Sequence, residues 1–207
     1  MRGTVELEGD APADTVVRPI SDQEVCGDSV VTVLVDHDGP RLGGAVVWLV
    51  GVKGGKRPPL ERRYELDIEG CKMLPRTQAV LAGGTLNVHN ADKALHRTRF
   101  VLQGTRTPVA VASYSDDGQV VPVSDALARP GLVEASCDVH PWARAWVAVF
   151  DQPYFAVTLR DGAFALDSVP PGRYDVVAWH PRLGVVRDTV RVVGGQAAAV
   201  TLRLKAR

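Results

Sequence analysis

The sequence predicts an all-β protein. Short Val-rich runs recur along the whole chain, and Gly, Pro and Asp turn signals separate them. No long stretch carries the 3.6-residue apolar period of a helix.

The elements follow in chain order. MRGTVELEG alternates apolar and polar residues, as a strand with one buried face does. It lacks the charged-then-apolar layout of a secretion signal, so the chain is either cytoplasmic or given without its export signal. VVTVLVD (30–36) and GGAVVWLVGV (43–52) are the next strands, and KGGKRPP (53–59) reads as a linker. TLNVHN (85–90) and RTRFVL (97–102) flank the short turn ADKAL. VSDALARP (123–130) is the best candidate for a helical turn, ended by Pro130. GLVEAS (131–136) and AWVAVF (145–150) are strands, followed by FAVTL, RYDVVAWH, DTVRVV and AVTLRL.

These elements fall into two blocks. One runs from about residue 64 to 150. The other, 158–193, places strands around an Asp-Gly and a Pro-Pro-Gly turn, and DHDGPRLGGAVVWLVG (36–51) reads as its opening strand. The first block is therefore expected to be inserted into the second, with divisions 1–60, 61–150 and 151–207.

The 207 residues suffice for one large or two small domains with a true core. Lys and Arg number 24, as do Asp and Glu, so charge favours neither nucleic acid nor an anionic membrane. No apolar run approaches the roughly 20 residues that span a bilayer.

The chemistry concentrates in SCDVHPWARAW (136–146). A Cys-x-x-His loop lets the Cys137 thiolate and the His140 imidazole converge, and His96 follows a strand whose loop can lie beside theirs. Two imidazoles and one thiolate form a trigonal set that suits copper. Three ligands with an open fourth position would also suit zinc. His37 reads as a turn residue, His89 as packed or at the surface, and His180 as structural. Trp48, Trp146 and Trp179 read as core. No catalytic constellation stands out. Ser136 lacks triad partners, Asp116 and Asp117 read as a solvated turn, and phosphate-loop and dinucleotide fingerprints are missing. A non-enzymatic role is the expectation.

Residues 64–150 resemble a cupredoxin, the plastocyanin-like fold, in GCKMLPRTQAVLAGGTLNVHNADKALHRTRF and CDVHPWARAW. The resemblance implies a Greek-key β-sandwich with one copper ion, working in electron transfer with a redox partner protein such as a cytochrome. Carried over by position, His96 is the first ligand, Cys137 the thiolate and His140 the second imidazole. The axial Met of that loop falls on Ala143, which cannot coordinate, and Arg97 stands where Asn often follows the first His. An empty axial position is expected to favour Cu(I). The flanking GPRLGGAVVWLVG and TLRDGAFALDSVPPGRYDVVAWH resemble the carboxypeptidase regulatory-like domain, a small transthyretin-like sandwich. The combination resembles secreted bacterial proteins of the methylamine-utilisation or plastocyanin-like kind.

Cys26 and Cys71 remain outside the ligand set. They are either two buried thiols or a disulfide tying the N-terminal segment to the inserted block. The disulfide is expected, and it implies an oxidising compartment, periplasmic or extracellular. His140 is expected nearest solvent, with Pro141, Trp142 and Ala143 as an apolar rim. Arg97 and Arg144 either give that rim a positive edge that steers an acidic partner or merely solvate a loop. Two other readings compete with electron transfer: a metal-free binding or structural module, and a copper store or chaperone.

Overall fold

Alternating burial along the strands builds two sandwich-like units. The computed structural model describes residues 1–206, and almost all its regular structure is β-strand. Helix among the described residues is limited to Gln23–Cys26 and a single 3-10 turn, Asp125–Leu127, inside the segment expected to turn before Pro130. No helix is long and apolar enough to cross a membrane.

The first unit comprises Met1–Asp14, Val33–Pro58 and Gln152–Arg207. One of its sheets pairs Arg2–Glu8 with Ala163–Ala165 and Arg41–Leu42, and in parallel with Ala199–Lys205. The other runs in the order Phe155–Val157, Val46–Val50, Gly172–His180, Gly184–Val192. Val5, Leu42, Leu49, Phe164 and Leu202 lie in the core of this unit. Both turn signals have physical causes. Gly162 has φ +73°, and a Cβ there would meet the Val5 carbonyl at 2.5 Å. At Gly172 a Cβ would strike the Tyr174 ring, whose hydroxyl donates to the Pro170 carbonyl at 3.0 Å.

The second unit comprises Thr15–Thr32 and Pro59–Asp151. A four-stranded sheet runs Gln119–Val123, Thr85–Asn90, Arg63–Glu69, Lys72–Leu74. A five-stranded sheet runs Pro108–Tyr114, His96–Leu102, Gly131–Cys137, Arg144–Phe150, Thr77–Leu81. Leu66, Ile68, Leu86, Phe100, Val133 and Val147 fill the core. Thr15–Thr32 thus joins the block that the sequence divisions began at residue 61. The chain makes this excursion as the ribbon Thr15–Val17 with Val30–Thr32 and the helix Gln23–Cys26, which a Cys26–Cys71 disulfide ties to the rest of the unit.

Cys137 is the one free cysteine among the described residues, and it is buried. Denatured protein should therefore take up one alkyl group per chain without reductant and three after reduction, read by intact mass. Three labels without reductant would contradict the bridge.

Two of the three tryptophans read as core are not in it. Trp48 and Trp146 are half-buried, while Trp179 is buried. Trp48 lies between the inward Val47 and Leu49, and Trp146 between the inward Ala145 and Val147. Period-2 alternation points both rings to the opposite face, where the Arg76 guanidinium lies 5.3 Å from the Trp146 ring.

Candidate metal centre

Strand register brings the first two candidate ligands together. Along His96–Leu102, His96, Thr98 and Phe100 point inward while Arg97 and Arg99 point outward. Thr98 pairs with Cys137 on the neighbouring strand, so His96 and Cys137 are diagonal neighbours on one buried face. Beyond Cys137 the chain folds back tightly. Ala143 N–H donates to the His140 carbonyl at 2.8 Å, Cys137 N–H to the Ala143 carbonyl at 3.1 Å, and Asp138 N–H to the Arg97 carbonyl at 2.8 Å. His140 N–H points at Cys137 Sγ, 3.4 Å away.

His96, Cys137 and His140 converge. His96 Nδ1 and His140 Nδ1 are 3.1 Å apart, and Cys137 Sγ lies 3.7 Å from the first and 4.0 Å from the second. All three residues are buried. The far nitrogen of each ring is held by a carboxylate: His96 Nε2–H donates to Asp92 Oδ2 at 3.0 Å and His140 Nε2–H to Asp22 Oδ2 at 3.2 Å. A carboxylate only accepts, so both Nδ1 lone pairs face the common centre. Two lone pairs at 3.1 Å repel unless a proton or a metal cation lies between them.

The same packing shifts the acidities of the three groups. Burial works against charge on His96, but the Asp92 carboxylate and the Cys137 thiolate outweigh it and lift the ring to about 9. His140 is pushed down by burial and then by the neighbouring His96 charge. Burial raises Cys137, yet His96 and the N–H groups of His140, Arg97 and Val139 hold the thiol below its usual range. Charge on His96 and charge on Cys137 thus favour each other, while His140 is driven toward its neutral form.

The donor set fits a trigonal copper ion. At the observed separations of 3.1, 3.7 and 4.0 Å, His96 Nδ1, His140 Nδ1 and Cys137 Sγ would all be within bonding reach of one ion, which two imidazoles and a thiolate would hold as a redox-active copper. Ala143 supplies only a methyl group, so no side chain there completes the tetrahedron that zinc prefers.

Sequence reading missed the carboxylates. Asp92 accepts from Gly70 N–H at 2.7 Å and Cys71 N–H at 2.8 Å as well as from His96. Asn90 fixes the turn, its amide donating to the carbonyls of Asp92 at 2.9 Å and Asp116 at 3.1 Å. The NADKALH stretch, with Asp four residues before His96, carried a local signal for this pair. Asp22 had none, since it lies 118 residues from His140.

His140 is not nearest solvent, as the sequence suggested, but has 0% exposure, and Ala143 is also buried. The Thr15–Thr32 excursion, pinned by the disulfide, sets Asp22 against His140 Nε2. Of the expected apolar rim, Pro141 is exposed and Trp142 is half-buried. The Trp142 ring lies 5.3 Å from the His140 ring, and its Nε1–H donates to the Cys71 carbonyl at 3.0 Å. The positive edge is compensated locally: Arg97 and Arg99 each reach Asp138 at 2.6 Å, and Arg144 reaches Glu134 at 3.0 Å. His89 is at the surface beside Glu65, His37 is exposed, and His180 is buried.

No family model matches the sequence, and no curated protein matches it. Among solved structures, the chain is similar to a copper-containing nitrite reductase from Thermus scotoductus, with 18% identity and a TM-score of 0.38 over 51% of this chain and 25% of that one. It is similar to a purple cupredoxin from Nitrosopumilus maritimus, with 15% identity and a TM-score of 0.34 over 42% of this chain and 99% of that one. It is also similar to oxidised plastocyanin from Dryopteris crassirhizoma, with 14% identity and a TM-score of 0.36 over 42% of this chain and 99% of that one. The chain thus spans a quarter of the length of the nitrite reductase.

Proposed function

We propose that the second unit is a cupredoxin-type electron-transfer module that holds one copper ion on His96 Nδ1, Cys137 Sγ and His140 Nδ1. The observation that carries this reading is the convergence of those three buried atoms at 3.1, 3.7 and 4.0 Å, with both outer ring nitrogens fixed on carboxylates. Copper, when bound, supplies a one-electron couple between Cu(I) and Cu(II). The protein supplies a cage that is already in place. Asp92 and Asp22 set the tautomer and orientation of the rings and raise their basicity. Strand pairing and the 137–144 turn keep the sulfur and nitrogens from moving when charge changes, so little reorganisation accompanies an electron. Ala143 offers no donor atom, which would favour the cuprous state.

Burial of His140 supports an electron carrier over a copper chaperone, since a chaperone must let its ion go readily. The partner is a redox protein such as a cytochrome, meeting the half-buried Trp142 beside His140. The disulfide supports export to an oxidising compartment, periplasmic or extracellular.

Titration with Cu(II) should end at one equivalent per chain and give a visible thiolate-to-metal band. Cys137→Ser should abolish the band and weaken binding by more than the 10- to 100-fold that losing an outer partner costs. A parent-like spectrum and affinity in Cys137→Ser would overturn the assignment.

A further inference from the structure

The first unit keeps a long strand at the edge of a sheet. Gly184–Val192 spans nine residues and pairs with Gly172–His180 on one side, while its other side closes the sheet with no partner strand among the described residues. Along such an edge, alternate backbone N–H and C=O groups stay open to another chain. Residues 171–173 and 189–194 line a groove of about 710 Å³ here.

The charge on this edge is unbalanced. Arg173 and Arg191 stand directly opposite each other across the two strands, and Arg187 lies on the same face, two pairs further along. All three are exposed. Among the described residues none of their guanidinium groups has an ion-pair or hydrogen-bond partner. Asp175, the carboxylate on that face, sits opposite Thr189 and forms an ion pair with none of them. Asp188 lies on the other face and accepts from Thr189 N–H at 2.7 Å. Like charges facing each other across a strand pair cost stability, and an anion at the edge relieves that cost.

A second copy of the chain is a poor occupant. Antiparallel pairing about a two-fold axis sets residues of the same face opposite one another. Centred on Arg187 it places Arg187 on Arg187, centred on Asp188 it places Asp188 on Asp188, and centred on Thr189 it places Arg187 on Arg191. An acidic strand meets none of these conflicts. We propose that this edge docks an extended acidic segment of a partner protein, which adds as a further strand with carboxylates opposite Arg187 and Arg191. The carboxylate opposite Arg191 draws that guanidinium toward the edge and away from Arg173. Strand alternation makes the residue opposite the buried Val190 apolar, and a cation opposite Asp188 completes the pattern.

The site lies wholly within the first unit and is independent of the copper reading. The test is fluorescence anisotropy of the labelled octapeptide VEVTKEVT, which carries this pattern antiparallel to the strand, on the metal-free full chain at low ionic strength. Binding should saturate at one peptide per chain and weaken as salt rises. A peptide of the same composition with its two acids adjacent should bind about 10-fold more weakly, and so should VEVTKEVT to Arg187→Glu/Arg191→Glu. That variant should instead prefer VKVTEKVT, with near-UV circular dichroism confirming its fold. Backbone amides of residues 187–191 should gain protection from hydrogen exchange when the peptide binds. Absence of saturable binding, equal binding of the two peptides of one composition, or parent-like affinity in the charge-reversed variant overturns the proposal, and the peptide comparison needs no variant to fold. A free chain that sediments as a dimer through this edge overturns it in favour of a second copy.

Discussion

Replacing Asp92 with Ala should weaken copper binding about 10- to 100-fold, the usual cost of losing the partner that orients a ligating histidine. The same change should lower stability by several kcal/mol, because two backbone N–H groups lose their acceptor in a buried place at about 1–3 kcal/mol each. The carboxylate is 4% exposed and accepts from Gly70, Cys71 and His96. Asp92→Asn separates the two effects. Its amide keeps one acceptor oxygen for the turn but carries no charge to favour the His96 Nε2 proton, so stability should recover more than affinity. Competition with a chelator and urea denaturation read the two quantities. Copper affinity unchanged in Asp92→Ala would reduce the carboxylate to a support of the turn.

The metal-free protein offers a second readout of the same residue. Burial raises Asp92, but the bonds from His96, Cys71 and Gly70 hold it below 3.8, so its contribution is present above that value and lost as pH falls through the lower folded value. His96 is lifted from 6.5 to about 9, so its contribution is present below 6.5 and lost as pH rises through about 9. Stability of the metal-free form should therefore fall on both sides, and Asp92→Ala should flatten both slopes.

Removing the disulfide should have an effect of similar size. In the chain-entropy description, a loop closed across 45 residues stabilises the fold by roughly 4 kcal/mol. That is a large share of the 5–15 kcal/mol that holds a typical domain together. Cys26→Ala/Cys71→Ala should unfold at a clearly lower urea midpoint than the oxidised parent. It should also lose copper to a chelator faster, because the segment that seats Asp22 on His140 is no longer tied down. An unchanged midpoint and unchanged release rate would mean that the ribbon and helix of Thr15–Thr32 hold the segment unaided.

The sequence by itself determined the all-β fold and most strand positions, and it singled out three residues, His96, Cys137 and His140, that the fold brings together. Each of these is written in local chemistry. Alternation of period 2 defines a strand in a few residues, as in HRTRFVL, where His96, Thr98 and Phe100 are buried and Arg97 and Arg99 are exposed. Asp-Gly and Pro-Pro-Gly encode turns through φ and close approach, and Cys-x-x-His fits one tight loop whatever surrounds it. Trp48 and Trp146 were misread by type, although the same alternation places both outside the core.

Only the tertiary structure decided what encloses the centre. Asp22 meets His140 across 118 residues, and Thr15–Thr32 leaves the first unit to reach the second. Neither leaves a periodic or spacing signal, since long-range contacts arise from packing and from a covalent bridge rather than from neighbouring residues. The expectation of an exposed His140 failed for that reason: a loop's exposure depends on what else in the chain covers it. Here the cover is a short helix, tied through Cys26 to the turn that also holds Asp92.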